Sequence, residues 1–103
     1  MTLNSQKPDL NEGNIHLTGY IDVPVDRLDD VLGAMDTHIN LTRGEPGCIY
    51  FVMERDVSNS NHLNVEEIFK DRAAFEHHKE RSAASDWAQT TQNIDRHFKI
   101  REI

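Results

Sequence analysis

The chain has a single cysteine, Cys48, a single tryptophan, Trp87, few basic residues and no apolar run near the roughly 20 residues of a membrane span. One thiol cannot form an internal disulfide. Cys48 sits inside a strand-like run with no cation beside it in sequence to stabilise a thiolate, so it reads as a small buried hydrophobe rather than a nucleophile. Eleven basic residues against eighteen acidic ones leave a formal charge of -7, which repels nucleic acid and anionic membranes, and no local basic patch overrides it. The first residues, MTLNSQKPDLNEGN, lack the apolar core of a signal peptide, which points to a cytoplasmic protein. Glycine-rich phosphate loops and nucleophile elbows are missing too. Six histidines are present, but none form an i, i+4 pair or a Cys-His spacing, and adjacent His77 and His78 diverge on a helix. The sequence therefore implies no metal. With 103 residues, 37% apolar and 28% charged, the chain is expected to form one domain around a single core.

What is present follows a clear order. Residues 1–14 are polar, with Pro8, Gly13 and several asparagines, and read as a flexible arm ahead of a domain over 15–103. From Ile15 to Val23 apolar residues alternate with His16, Thr18, Tyr20 and Asp22, which predicts a strand. Pro24 ends it. Asp26 is placed to cap a helix whose apolar face holds Leu28, Val31, Leu32, Met35 and Ile39, and which Gly44 and Pro46 stop. GCIYFVMERDV and HLNVEEIF form a predicted hairpin around Ser58 to Asn61. That four-residue connection sets Tyr50 opposite Phe69, Val52 opposite Glu67 and Glu54 opposite Val65. Asp71 caps a second helix in which Ala74, Phe75, His78 and Ser82 share a face. A shorter helix near Ser85 carries Trp87, and the alternating end HFKIREI is a fourth strand.

Strand, helix, strand, strand, helix, strand is the split βαβ order of an α+β ferredoxin-like protomer with a four-stranded antiparallel sheet. Helices on one side cover only one face of such a sheet. Both hairpin strands carry apolar residues on both faces, so the second face is expected to be buried by another copy in a homodimer.

Three groups of residues carry a resemblance: Glu-Pro-Gly-Cys at 45 to 48, the Arg55-Asp56 strand end, and Glu67-x-aromatic-x-Asp71 followed by Ala74-Phe75-x-x-His78, with Trp87 nine residues on. In this order they resemble the antibiotic biosynthesis monooxygenase family and its quinol monooxygenase-like members, over about residues 15 to 103. The resemblance implies protomers paired sheet to sheet into a dimeric α+β barrel. It also implies oxidation of a small quinol or phenol-like aromatic by dioxygen without flavin, haem or metal. His78 matches the family's helical histidine and is the candidate base, with Glu67 as the second catalytic candidate. Tyr50, Phe69, Trp87 and His16 are the candidates to line the substrate, His16 from the cavity mouth. The sequence departs from the family pattern where Phe69 replaces a tryptophan and where Arg81-Ser82-Ala83-Ala84 follows the histidine in place of Ser-Pro-His-Phe. The haem-degrading branch carries an asparagine on its first strand, and IHLTGYIDV has none. Two other uses of the same barrel stay open: a cofactorless isomerase acting on a small carbonyl compound, and a non-enzymatic dimeric ligand-binding or stress-associated module.

Overall fold

The computed structural model describes residues 7–103. The part of the N-terminal arm before Lys7 lies outside the described residues. From Lys7 on, the chain makes specific contacts with the sheet. Lys7 pairs with Glu66 at 2.5 Å, the Asn14 side chain donates to the Lys70 carbonyl at 3.1 Å, and Asn14 and Gly13 exchange backbone hydrogen bonds with Ile103.

Four strands, β1 (Ile15–Asp22), β2 (Cys48–Arg55), β3 (His62–Phe69) and β4 (Asp95–Glu102), form one antiparallel sheet in the order β2-β3-β1-β4. Three helices, α1 (Leu28–Arg43), α2 (Arg72–Ala83) and α3 (Asp86–Thr90), complete a ferredoxin-like α+β fold. The core lies between sheet and helices. Ile15, Leu17 and Ile21 of β1, Phe51 and Met53 of β2, and Leu63, Val65 and Phe69 of β3 meet Val31 of α1, Phe75 of α2 and Trp87 of α3 there.

Two local expectations are corrected. Asp26 does not cap α1: Pro24 leads into a single 3₁₀ turn, Val25–Arg27, and α1 begins behind Arg27 with no side-chain cap. Asp71 does cap α2, its carboxylate accepting from the Ala74 amide at 2.8 Å. The hairpin is also shifted from its expected register. Asp56 Oδ1 accepts from the amides of Ser58 and Asn59, and the Asp56 amide donates to the His62 carbonyl. This Asx turn folds the chain two residues earlier than Ser58, so the strands end at Arg55 and resume at His62. Tyr50 consequently pairs with Ile68, Phe51 with Glu67 and Met53 with Val65, and the ladder shifts between Cys48 and Tyr50. A slip of one residue exchanges the faces of a strand. Tyr50, Val52 and Glu54 therefore lie on the side away from the core, with Asn64, Glu66 and Ile68. Glu67 faces the helices beside Phe51 and Met53.

Glycine is required at two close approaches. Gly19, at φ +151°, lets β4 come so near that a Cβ would lie 2.0 Å from the His97 carbonyl oxygen. Gly47 lets α2 reach the start of β2, where a Cβ would meet the Ala74 Cβ at 2.2 Å. The second approach holds α2 down over β3, and with it His78.

Candidate functional site

Beneath α2 the fold gathers ionisable and aromatic side chains that are far apart in sequence. Phe75 and His78, one turn apart on α2, both point to the sheet and are buried. The His78 ring lies 4.8 Å from that of Phe69. Its Nδ1 is 3.1 and 3.2 Å from the two carboxylate oxygens of Glu45, in the loop between α1 and β2. A carboxylate only accepts, so Nδ1 carries the proton and donates, which leaves Nε2 as the lone-pair nitrogen of a neutral ring. Glu45 also accepts from Arg81 Nε at 2.5 Å, and Arg81 Nη2 donates to Thr42 Oγ1 at 3.0 Å. The imidazole is thus fixed in both tautomer and orientation by a buried carboxylate that an arginine holds in turn.

On the other side of His78 lies Glu67. Its Oε1 is 3.8 Å from His78 Nε2, beyond hydrogen-bonding distance, and among the described residues it has no hydrogen-bond partner although it is buried. Burial first, and the nearby Glu45 charge second, push the Glu67 carboxyl up to about 8, so it holds its proton at neutral pH. Burial outweighs the Glu45 contact at His78 and lowers that imidazole from its ordinary value, favouring the neutral base. An uncharged acid and a free imidazole nitrogen therefore face each other across a gap.

That gap opens into a cleft of about 370 Å³, lined by Glu67, His78, Phe75 and Trp87 toward the helices and by Arg96, Phe98 and Ile100 along β4. The size suits a small aromatic molecule. Of the residues singled out from sequence, His78, Glu67 and Trp87 meet here. Phe69 is fully buried behind them and touches His78 without lining the cleft. Tyr50 and His16 do not join them. The register places Tyr50 on the opposite face, over a separate hollow with Thr18, Val52 and Glu66. His16 is on that face too, buried rather than at a cavity mouth, with Nε2 2.8 Å from Glu66 and Nδ1 3.0 Å from Arg101. Cys48 is half-buried, and burial with the Glu45 and Glu67 charges raises its thiol to about 11, which keeps it inert.

Sequence reading missed Glu45, Arg81 and His38. Glu45 stands out in the sequence only as part of Glu-Pro-Gly-Cys, and a loop carboxylate gives no hint of burial. His38 had a signal: it falls seven residues after Val31 and four before Thr42, on the buried face of α1. Its ring stacks on Trp87 at 4.6 Å, and its Nδ1 has no partner among the described residues. Burial, then His78, Arg81 and Arg96, lower it to about 3.

The Glu67 shift has a measurable consequence. Between about 4.5 and 8 the unfolded chain has lost a proton that the folded chain keeps. Stability therefore falls as pH rises through that window, by at most about 1.4 kcal/mol per unit. Glu67→Gln, which mimics the neutral acid, is expected to gain melting temperature relative to the wild type as pH goes from 5 to 8. Thermal melts at the two pH values check it. A difference that does not change with pH would mean that the carboxyl is already ionised in the folded protein.

The described residues contain no helix long and apolar enough to cross a membrane and no cluster of three or more His, Cys, Asp or Glu side chains able to hold a metal ion. Residues 14–90 match the family model for antibiotic biosynthesis monooxygenases. A candidate antibiotic biosynthesis monooxygenase from Nitrosomonas europaea superposes with a TM-score of 0.78 at 18% identity, covering 93% of this chain and 95% of that one. MupZ from Pseudomonas fluorescens gives 0.73 at 16% identity over 91% and 71%. At these identities the likeness establishes the fold. An uncharacterized protein of Synechocystis sp., sll1783, is 31% identical over 64 residues, which is 62% of this chain and 44% of that protein, so the chain spans less than half of that relative. On the match over residues 14–90, the chain belongs to the antibiotic biosynthesis monooxygenase family.

Proposed function

We propose that the protein is a cofactor-independent monooxygenase that oxidises a small quinol or phenol-like aromatic with dioxygen. The observation that carries this reading is the arrangement around His78: Nδ1 held by Glu45, Nε2 free, and the protonated Glu67 facing it on the buried side of an aromatic-walled cleft. Family membership and the names of several structural neighbours support monooxygenase chemistry in general. The absence of a cofactor rests on the resemblance alone.

In this reading His78 Nε2 takes the phenolic proton. The resulting electron-rich anion bonds one oxygen atom of dioxygen at a ring carbon, and the Glu67 carboxyl supplies a proton to the outer oxygen. Loss of that carbon's proton to the Glu67 carboxylate then breaks the O–O bond and leaves a carbonyl on the carbon, while the outer oxygen departs as water, its second proton coming from His78. Proton transfer by positioned groups contributes about 10² to 10⁴-fold. The decisive experiment is oxygen uptake by metal-free protein with a panel of quinols. Substrate-dependent uptake supports the reading. No uptake with any aromatic, together with tight binding of a small non-aromatic carbonyl compound, would favour isomerase chemistry in the same cleft.

The functional unit in this reading is a homodimer formed through the face that carries Tyr50, Val52, Thr18 and Tyr20. These side chains are half-buried with no helix over them, and Tyr50, Val52 and Thr18 border a hollow of about 390 Å³. A partner sheet would complete that cover, in an interface of more than about 1,200 Å². Sedimentation at micromolar concentration is expected to show a species of twice the chain mass. A sole species at 11.9 kDa would rule the dimer out.

A further inference from the structure

Arg96 gives one end of the cleft a chemistry that a neutral phenol does not use. In the pairing with β1, Arg96, Phe98 and Ile100 lie opposite Ile21, Gly19 and Leu17, on the helix-facing side of the sheet. Phe98 and Ile100 stay 37% and 53% exposed and form an apolar wall that ends at the guanidinium. Arg96 Nη1 donates to the carbonyls of Ile94 at 3.1 Å and Thr91 at 3.4 Å, and Nη2 donates to Thr91 Oγ1 at 2.8 Å. All three acceptors are neutral, and among the described residues no carboxylate pairs with this side chain.

A guanidinium has five N–H donors. Three are engaged, two on Nη1 and one on Nη2, which leaves Nε–H and one Nη2–H free. Nε–H together with the adjacent Nη2–H makes the fork whose spacing matches the two oxygens of a carboxylate. The turn that carries Thr91 and Ile94, with Asn93 at φ 64°, holds the group in place before any ligand arrives. The other cation on the cleft, Lys79, is already paired with Glu76 at 2.9 Å and lies over the Phe75 ring. A chain of net charge -7 would repel an anion, yet this lining presents an arginine without a counter-ion. A single fork with one positive charge suits a singly charged carboxylate better than a phosphate, which draws several donors.

We propose that the free edge of Arg96 is a carboxylate subsite, so that the cleft takes an aromatic acid, its ring against Phe75, Trp87, Phe98 and Ile100 and its carboxylate on the guanidinium. The proposal rests on reading the cleft as a site for a planar aromatic, and it adds the anionic group.

Calorimetry of the intact protein with 2-naphthoate and 2-naphthamide tests it, because the two probes share one ring system and differ in charge. The wild type is expected to bind the naphthoate at least about tenfold tighter, the value of one well-formed charge-assisted fork. Arg96→Gln is expected to bring the ratio close to one, Arg96→Lys to leave part of it, and Lys79→Gln to retain it. Equal affinities in the wild type, binding of neither probe, or a preference that survives Arg96→Gln would overturn the subsite. The wild-type comparison decides even if a variant fails to fold. A naphthoate preference without oxygen uptake from any aromatic would support the subsite and remove the oxidation. Oxidation of neutral quinols without the preference would do the reverse.

Discussion

His78→Ala is expected to lower kcat/KM for a quinol substrate by about 10²-fold while leaving the fold intact, a loss of about 2.7 kcal/mol of transition-state stabilisation. The size follows from what the ring does in the proposed reaction. A phenol gives up its proton poorly against apolar walls unless a base stands beside it. His78 Nε2 is the nitrogen placed there, since Glu45 occupies Nδ1. Glu67 cannot take over, because it already holds a proton near neutral pH. Steady-state oxygen uptake with circular dichroism of the variant measures both halves of the expectation. An unchanged rate in a folded variant would return His78 to the core as a packed histidine, and the proposed base with it.

Much of this site could be read before folding was considered, and the residues that escaped share a physical cause. Helical spacing alone put Phe75 and His78 on one face of α2, and the Asp71 cap fixed where that helix starts. Glu67 was legible as a carboxylate among apolar neighbours. Tyr50 was misplaced because strand pairing depends on the turn, and Asp56 captured the amides of Ser58 and Asn59 two residues before the expected loop. One residue of register moved Tyr50 from the wall of the cleft to the opposite side of the sheet. His16 went with the same face, where Glu66 and Arg101 hold it. Glu45 escaped for a different reason. It belongs to no periodic element, and its partners His78 and Arg81 lie 33 and 36 positions further along the chain.

That separation makes Glu45 a link between elements. Its backbone amide and carbonyl bond to Thr42 at the end of α1 and to Cys48 at the start of β2. Its side chain reaches α2 twice, at His78 and at Arg81. The loop thereby joins α1, β2 and α2 through one buried carboxylate, directly over the proposed base.

Glu45→Ala is accordingly expected to cost about 3 kcal/mol of stability, more than a surface substitution commonly does. The removed side chain is almost fully buried, and it leaves the Arg81 guanidinium without its counter-ion and the His78 Nδ1–H without an acceptor. Arg81 retains only Thr42 Oγ1. Its side chain is 23% exposed, so water offsets part of the loss and the lower end of the range for broken buried pairs applies. Glu45→Gln separates charge from geometry: the amide oxygen still accepts from Nδ1, so most of the His78 orientation survives while the Arg81 ion pair does not. Denaturant melts should rank wild type above Glu45→Gln and Glu45→Ala lowest. Oxygen uptake should fall less in the glutamine variant than in the alanine one, because the imidazole keeps its tautomer. If Glu45→Ala melts within about 0.5 kcal/mol of the wild type, the usual range for surface changes, the carboxylate is not the anchor described here. His78 would then owe its position to packing against the rings of Phe69, Phe51 and His38.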